Sequence, residues 1–347
     1  MDKTGLLTAN TEEVVTCGEL EDLFRVNSKP NGYIGFEPSG SVHLGWFICA
    51  RKIKDFIKAD FDFIILLADW HAYINDKLDG DMEKIKLCGK YMEDCFIAMG
   101  VNPDKVRFVY ASEYVNDSRY WELVLRVAKA TSVARVKRAM DIMGRSEDEA
   151  DKDLSKLFYP AMQVADIFYL DVDVAYGGMD QRHAHMLARD VSKKIGLKPP
   201  VAVHTALLTG LQADGRMNPI ESKMSKSKPD SMISIHDDPE VVKRKLSKAY
   251  CPEKQVEGNP ILEICKYIIF PELEGASFVI ERSERFGGRL ELKSYKDLEE
   301  YYLKGLHPLD LKNAVSVYVN KLLESIRDYF RRHPDNYDKM KSIGVIK

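Results

Sequence analysis

The segment Tyr33-Ile-Gly-Phe-Glu-Pro-Ser-Gly-Ser-Val-His-Leu-Gly-Trp46 decides how this chain folds. A short extended run ends in a turn of Pro, Ser and Gly, and an amphipathic stretch follows over residues 42–59. The pattern predicts a strand that passes through a turn into a helix, as in any well-made strand-to-helix connection. A helix N-terminus presents free N–H groups and a positive dipole end, so this junction is also suited to phosphate.

The same alternation continues outward from this segment. Residues 61–68 are apolar on both alternations, as in a strand covered on both faces. Further strands are predicted at 106–110, 172–175 and 201–205, and helical patterns at 82–99 and 181–194. The order predicts an α/β fold with a doubly wound, Rossmann-like parallel sheet, in which ligands bind at the carboxyl ends of the strands.

The character of the sequence changes after Ile235. Asp237-Asp238-Pro239-Glu240 has the features of a helix start, and an amphipathic stripe follows at Leu311, Val315, Val319, Leu322, Ile326 and Phe330. We therefore predict a nucleotide-binding domain over residues 1–235 and a smaller, mainly α-helical domain over 236–347. The acidic stretch 147–153 is interpreted as a solvated break within the first domain.

Composition excludes several classes of protein. The 347 residues carry 51 Lys and Arg against 54 Asp and Glu, a formal charge of −3, and this neither indicates nor excludes a nucleic-acid partner. No apolar run approaches the roughly 20 residues that span a bilayer. The N-terminus does not resemble a secretory signal, and the six cysteines include no C-x-x-C pair. We predict a cytoplasmic protein without membrane or disulfide framework.

A second motif is Tyr159-Pro-Ala-Met-Gln163-Val-Ala-Asp166. Pro160 suits the first position of a helix, and Tyr159, Gln163 and Asp166 then fall on one face. Their neighbours are apolar, so a carboxylate and an amide are predicted inside the protein, where they need partners. Either a structural hydrogen-bond network or a small polar ligand with an aromatic body would satisfy them.

Two glycine- or lysine-bearing stretches complete the candidate site. Gly177-Gly178 allows close backbone approach, and Asp180 and Gln181 follow where a ribose or an amine could be bound. His183 and His185 are two residues apart on a helix and point apart, so no metal site is predicted. Lys223-Met-Ser-Lys226-Ser227 lies in a Gly-, Asn- and Ser-rich stretch and suits a triphosphate, although lysine-rich solvated loops are common.

Together these motifs resemble a known family. His43-Leu-Gly-Trp46 and Lys223-Met-Ser-Lys-Ser227 resemble the two signatures of class I aminoacyl-tRNA synthetases. The motifs at 33–40, 159–166 and 177–182, with Phe286-Gly-Gly and Leu306-His-Pro-Leu-Asp-Leu-Lys312, resemble the tyrosyl-tRNA synthetases of archaea and the eukaryotic cytosol. The resemblance covers residues 10–333. It departs from the family at Trp46, where the first signature usually has a second histidine.

The resemblance implies a two-step reaction. Tyrosine would react with ATP, accompanied by Mg²⁺, to form tyrosyl-adenylate and pyrophosphate, and the terminal adenosine of tRNA(Tyr) would then accept the tyrosine. Because a carboxylate is already a nucleophile, activation needs no general base, and positioning and charge stabilisation would provide catalysis. No tightly bound cofactor and no resident metal are expected.

The resemblance also implies roles for individual residues. Tyr33 and Asp166 would bind the phenolic hydroxyl of tyrosine, and Tyr159, Gln163 and Gln181 would surround its amino group. A second set would bind ATP: Gly35, His43 and Gly45 as a cradle, Asp180 at the ribose, and Lys223, Lys226 and Ser227 at the departing pyrophosphate.

For tRNA, the expectations concern both domains. Basic residues are expected to meet the acceptor end, namely Arg135, Lys137, Arg138 and Arg182, although a solvated helix face would carry the same charges. By family resemblance, the anticodon would be contacted by Phe286, His307 and Asp310, through stacking on an unstacked base and hydrogen bonds to its edge. A homodimer is implied, with an inserted helical region at about residues 110–155 serving dimerisation and the acceptor stem.

Two alternative functions stay open at this point. A tryptophan–tRNA ligase would share both signatures, but the polar pair Tyr33 and Asp166 favours a phenol over an indole, which offers a single N–H donor. A non-catalytic RNA-binding protein derived from a synthetase should have lost His43, the lysines at 223–226 or Asp166, and all are present.

Overall fold

The structure is a computed structural model, which describes residues 2–139, 153–212, 224 and 229–346. The chain divides into two compact units. The first comprises Met1–Gly40, Lys52–Ala206 and Asp335–Lys347, and the second comprises Ser41–Arg51 and Leu207–Pro334. The predicted boundary near residue 235 does not coincide with this division. It stays a prediction, because units defined by packing and domains defined by function need not share a boundary.

A mostly parallel sheet forms the centre of the first unit. Its strands are β1 (Glu13–Val15), β2 (Asn31–Phe36), β3 (Asp62–Leu67), β4 (Val106–Tyr110), β5 (Val174–Gly178) and β6 (Val201–Thr205). They lie in the order β1-β6-β5-β2-β3-β4. Only β1 is antiparallel to its neighbour. The predicted α/β fold with a parallel sheet is confirmed.

Helices connect and cover these strands. They are α1 (Lys3–Thr8), α2 (Cys17–Val26), α3 (Trp46–Lys58), α4 (Asp69–Ile74), α5 (Met82–Ala98), α6 (Ser118–Ala130), α7 (Val133–Arg138), α8 (Ser155–Tyr169) and α9 (Arg182–Ser192). A cluster of buried apolar side chains joins β2, β3 and β5 to α6, α8 and α9, with Ile64, Val124, Val164 and Leu187 among its members. Helix α8 therefore packs against the middle of the sheet.

Three predicted boundaries are wrong, each because backbone groups or neighbouring residues bond differently from the local pattern. The helix predicted from residue 42 begins at Trp46, because the backbones of Val42 and Leu44 instead bond to Ile235 and Ile233. The strand predicted from Val172 begins at Val174, because the Val172 N–H bonds back to the end of α8. Pro160 lies inside α8 rather than at its first position, since one helical turn precedes it.

In its described residues, the second unit is mainly helical and contains a small antiparallel pair of strands. Its helices after residue 229 are α10 (Pro239–Lys248), α11 (Pro260–Ile264), α12 (Phe270–Glu272), α13 (Tyr295–Leu303) and α14 (Pro308–Arg332), and β7 (Phe278–Ile280) pairs with β8 (Leu290–Leu292). A π-helical turn (Cys265–Ile269) links α11 to α12. The last helix, α15 (Asp335–Ser342), belongs to the first unit.

The predicted amphipathic character of α14 is confirmed in most of its positions. Leu311, Val315, Val319, Ile326 and Phe330 are buried, but Leu323 rather than Leu322 completes the stripe. The helix start predicted at residues 237–240 is also confirmed, with Asp238 at the N-cap and Pro239 as the first helical residue. Among the described residues, no helix is both long and apolar enough to cross a membrane.

Candidate active site

The polar stripe predicted on α8 is buried within the first unit. Tyr159, Gln163 and Asp166 are 5%, 8% and 1% exposed. They lie near the middle of the sheet, where β2 has β3 on one side and β5 on the other. This reversal of strand order is where open α/β sheets bind ligands. The three side chains therefore lie where the sequence predicts a ligand, although Pro160 does not begin their helix.

Asp166 lies at the centre of a buried polar cluster. Its Oδ1 accepts hydrogen bonds from the hydroxyls of Tyr114, at 2.7 Å, and Tyr120, at 3.0 Å. Its Oδ2 lies 3.1 Å from Nε2 of His71. Sequence reasoning missed all three partners, because they come from α4, α6 and the segment before α6. The two tyrosines satisfy Oδ1, whereas Oδ2 has no hydrogen-bond partner among the described residues and is available to a further donor.

Tyr33 joins the same cluster from β2. Its side chain is buried, and burial together with the negative charge of Asp166 raises the pKa of its hydroxyl, against an opposing hydrogen bond from Gln163. The phenol therefore stays protonated and can donate a hydrogen bond at neutral pH. The residues predicted for a phenolic ligand, Tyr33 and Asp166, are thus brought together, while their role toward a ligand stays a prediction.

His71 is the basic side chain nearest to Asp166 in this cluster. Burial by itself would lower the pKa of the imidazole, but the negative charges of Asp166, Glu37 and Asp69 outweigh burial and raise it. Both ring nitrogens of His71 are buried without a hydrogen-bond partner among the described residues. The His71 side chain is therefore held among acidic side chains by charge rather than by an aligned hydrogen bond.

Glu37 organises the opposite end of the stripe. It accepts hydrogen bonds from the Tyr159 hydroxyl at 2.7 Å and from Asn75 Nδ2 at 2.8 Å, and Lys77 Nζ lies 3.4 Å away. Gly35 lies between Tyr33 and Glu37 on the same face of β2, and a Cβ there would come within 3.0 Å of the Tyr33 hydroxyl. The glycine therefore keeps this face of the strand open.

The turn after β5 contributes two predicted residues. Gln181 Oε1 accepts a hydrogen bond from Gln163 Nε2 at 2.9 Å, so two of the residues predicted around an amino group are in contact. Oε1 of Gln163 is buried without a hydrogen-bond partner in the described parts of the chain, and it remains available to a donor such as an ammonium group. Asp180 lies in the same 3₁₀ turn (Met179–Gln181) and is half-buried.

The first signature motif lies in the second unit. Nδ1 of His43 accepts a hydrogen bond from the Gly45 N–H at 3.2 Å, and the His43 backbone forms an isolated bridge with Ser234. A Cβ on Gly45 would lie 3.0 Å from the His43 ring, so the glycine permits this close turn. Trp46 is half-buried and begins α3. Lys223, Lys226 and Ser227 of the second signature lie outside the described residues.

The predicted tRNA contacts are distributed over both units. In the first unit, Arg135, Lys137 and Arg138 lie on α7, and Arg135 pairs with Asp190 at 2.7 Å. Arg182 pairs through Nε with Glu13 at 2.6 Å. Residues 147–152 of the predicted break and part of the predicted dimerisation region lie outside the described residues.

In the second unit, the Phe286 side chain is 63% exposed, as a stacking platform needs to be. Nδ1 of His307 accepts a hydrogen bond from the Leu309 N–H and caps α14, with Asp310 in the first turn. His307 and Asp310 thus share one helix end. The role of the three residues toward an anticodon stays a prediction.

Comparisons with known proteins agree with one another. Residues 26–324 match the family model described as tRNA synthetases class I (W and Y). A tyrosine–tRNA ligase from Sulfolobus acidocaldarius is 52% identical, over 99% of this chain and 97% of the relative. The tyrosyl-tRNA synthetase structure from Aeropyrum pernix has a TM-score of 0.89 and 45% identity, and covers 98% of both chains. That from Pyrococcus horikoshii, complexed with L-tyrosine, has a TM-score of 0.91 and 42% identity, and covers 99% of this chain and 100% of that one.

Proposed function

Since this chain belongs to the tyrosine–tRNA ligases, a family of ATP-dependent class I aminoacyl-tRNA synthetases, we propose how its own residues perform that activity. The enzyme activates tyrosine with ATP and transfers it to tRNA. The family membership removes the non-catalytic alternative, and the names of the relatives favour tyrosine over tryptophan.

The proposal for tyrosine rests on one observation, the buried cluster of Tyr33 and Asp166. A phenolic hydroxyl placed between them would donate to the carboxylate and accept from Tyr33. Phenylalanine would bury the same polar groups without a partner, which is costly. Tyrosyl-tRNA synthetases discriminate tyrosine from phenylalanine by about 10⁵ without editing.

The amino group of tyrosine would lie among Tyr159, Gln163 and Gln181. The buried, unpartnered Oε1 of Gln163 supports this role, because an ammonium group would supply the missing donor. The tyrosine carboxylate would then attack the α-phosphate of ATP, and pyrophosphate would leave with the electron pair of the broken P–O bond. No proton has to be removed from the nucleophile, so binding geometry carries this step.

For ATP, we propose that Gly35, His43 and Gly45 form the cradle and that Asp180 binds the ribose. Lys223, Lys226 and Ser227 would stabilise the charge that develops on pyrophosphate. Mg²⁺ would enter as the metal complex of ATP and so as part of the substrate. Trp46 offers stacking or packing in place of the hydrogen bond that a histidine would make there.

For tRNA(Tyr), we propose acceptor-end contacts by Arg135, Lys137, Arg138 and Arg182. Phosphate contacts by such side chains give affinity that depends on salt. Contacts to the anticodon are assigned to three residues of the second unit, Phe286, His307 and Asp310. The exposure of the Phe286 ring supports its stacking role.

We also propose that the protein is cytoplasmic and forms a homodimer. Exposed apolar side chains support the dimer: Trp121 and Leu125 on α6 are 42% and 62% exposed, and Phe158 on α8 is 38% exposed. Helices α6 and α8 pack on each other, so their exposed apolar side chains can contribute to one interface. Leu125→Glu should convert a dimer to a monomer in analytical ultracentrifugation, and an unchanged sedimentation coefficient would contradict the proposed interface.

The activity and the tyrosine pocket are tested together by amino-acid-dependent ATP–pyrophosphate exchange. The wild-type enzyme should exchange with tyrosine and not with phenylalanine or tryptophan. Asp166→Asn should lower kcat/KM for tyrosine by about a hundredfold. Asp171→Asn, an exposed position just after the same helix, is the matched control and should leave exchange unchanged. Equal activity of the Asp166 variant and the wild type would refute the assignment.

A further inference from the structure

Two buried histidines that the proposed chemistry does not use lie against the turn after β5. His185 on α9 and His204 on β6 are 1% and 0% exposed. Nδ1 of His185 lies 2.9 Å from Nε2 of His204, the ring planes are within 20° of parallel, and the ring centroids are 5.0 Å apart. The short N–N distance makes this a hydrogen bond between the two rings, so one of these nitrogens carries the proton.

Glu13 determines which nitrogen that is. Glu13 stands opposite His204 in the β1–β6 pair, and its Oε1 lies 2.9 Å from Nδ1 of His204. The contact with Glu13 does not have hydrogen-bond alignment, since Nδ1 of His204 has no hydrogen-bond partner among the described residues. The adjacent carboxylate nevertheless favours the tautomer with the proton on Nδ1, in which Nε2 of His204 accepts from His185. The result is a pair of hydrogen-bonded imidazoles that ends beside a carboxylate. Arg182 Nε donates to the same Glu13 oxygen at 2.6 Å and completes the outer end.

The inner end of the chain, His185, lies close to Gly177 at the start of the turn. A Cβ on Gly177 would lie 3.2 Å from Cε1 of His185 and 2.9 Å from Cβ of Gln181. Gly177 is also paired with His204 across β5 and β6. The glycine therefore leaves just enough room for the imidazole on one side and for Gln181 on the other, and a displacement of the ring would be felt by this turn.

The turn held in this way carries Asp180 and Gln181, two residues assigned above to the ATP ribose and to the tyrosine amino group. Gln181 also bonds to Gln163 on α8. We propose that His185 and His204, anchored by Glu13, are positioning residues that set the place of Asp180 and Gln181 and thereby the affinity for both tyrosine and ATP. This inference rests on the roles proposed above for those two residues.

A buried hydrogen-bonded chain suits this purpose better than apolar packing. Apolar side chains of similar volume could fill the space with comparable stability, but they would permit several arrangements. In the hydrogen bond between His185 and His204 one donor faces one acceptor, and a shift of either ring leaves a buried polar atom without its partner. Glu13, on an edge strand, would thus affect a substrate site that it does not touch.

The test uses ATP–pyrophosphate exchange, which needs no tRNA and is blind to any effect on Arg182 at the acceptor end. Glu13→Ala should raise KM for tyrosine and KM for ATP by about fivefold or more, with kcat changed less than about twofold. Glu13→Gln retains an acceptor and should recover most of the loss. His185→Leu should reproduce the Glu13→Ala effect. His183→Gln, on the exposed side of the same helix, is the matched control and should not change either KM.

A second route avoids the network residues. Gly177→Ala adds a methyl group against His185 and Gln181, and both KM values should again rise. Normal KM values in Glu13→Ala and His185→Leu, accompanied only by a lower melting temperature, would overturn the inference and leave a purely structural role. Absence of tyrosine-dependent exchange in the wild type would instead refute the proposed function, so the two failures are distinguishable.

Discussion

The carboxylate of Asp166 and the imidazole of His71 face each other at 3.1 Å in the interior of the first unit, where their side chains are 1% and 2% exposed. Tyr114 and Tyr120 donate to the other carboxylate oxygen. The carboxylate assigned to substrate recognition is thus held by three side chains before any ligand arrives. Such preorganisation lowers the cost of ordering the site when substrate binds.

Removal of the imidazole should destabilise the protein. His71→Leu leaves the buried Asp166 without its nearest positive partner, and breaking a buried pair in this way costs about 3 kcal/mol. Urea denaturation followed by circular dichroism should show a correspondingly lower midpoint. His183→Gln serves as a control for loss of an imidazole at an exposed position, and a midpoint for His71→Leu equal to that of the control would contradict the charge pairing.

The contribution of His71 to the free energy of unfolding should decrease as the pH rises. The pKa of His71 is raised above its ordinary 6.5, so its stabilising effect is complete below pH 6.5 and is lost as pH rises through the folded-state pKa. The difference in free energy of unfolding between the wild type and His71→Leu should therefore shrink on the alkaline side. Denaturation series at several pH values measure it, and a difference that grows with pH would be inconsistent with the pairing.

The stabilising effect of the His185–His204 chain should depend on pH in the opposite direction and decrease as the pH falls. Burial, followed by the neighbouring His204, lowers the pKa of His185 well below 6.5. Burial likewise lowers the pKa of His204, with Glu13 and Asp180 opposing and Arg182 assisting. The neutral chain therefore stabilises the fold above pH 6.5 and loses this effect as pH falls through the lowered pKa values. KM for tyrosine in the exchange reaction should therefore rise as the pH falls. In His185→Leu this rise of KM at low pH should be smaller. The same rise in the variant and the wild type would contradict the proposed role of the histidine chain.

Substrate discrimination should depend on Tyr33. Tyr33→Phe removes one hydrogen-bonding group from the pocket, and loss of a hydrogen bond to a buried polar partner is worth about 2 kcal/mol, or about thirtyfold in kcat/KM for tyrosine. Activity with phenylalanine should stay the same or rise. Tyr73→Phe, at an exposed tyrosine, is the control. An equal loss for both amino acids would point to a packing defect instead.

Acceptor-end contacts should separate the two steps of the reaction. Arg138→Ala should leave pyrophosphate exchange unchanged and raise KM for tRNA(Tyr) in aminoacylation, with the slope of log affinity against log salt reduced by about one. Arg25→Ala, an exposed arginine on α2, is the control for loss of surface charge. If Arg138→Ala behaved like that control, Arg138 would belong to a solvated helix face.

The local sequence pattern predicted most strands and helices of the first unit. It failed where a segment bonds to backbone that is distant in sequence. Strands β4 and β6 begin and end where the apolar runs do. The start of α3 was misplaced because Val42 and Leu44 bond to Ile235 and Ile233, nearly two hundred residues away in sequence. A hydrogen bond between segments that far apart leaves no local periodicity to detect.

The sequence by itself determined the alternation of strands and helices, the family and the stripe of Tyr159, Gln163 and Asp166, because these depend on spacing within a few turns of chain. Only the tertiary structure decided what faces that stripe. His71, Tyr114 and Tyr120 around Asp166, and the Glu13–His204–His185 chain against Gly177, join residues whose positions in sequence are unrelated. Burial then shifts the pKa values of these side chains, because a buried group stays charged only where the fold places a partner of opposite charge next to it.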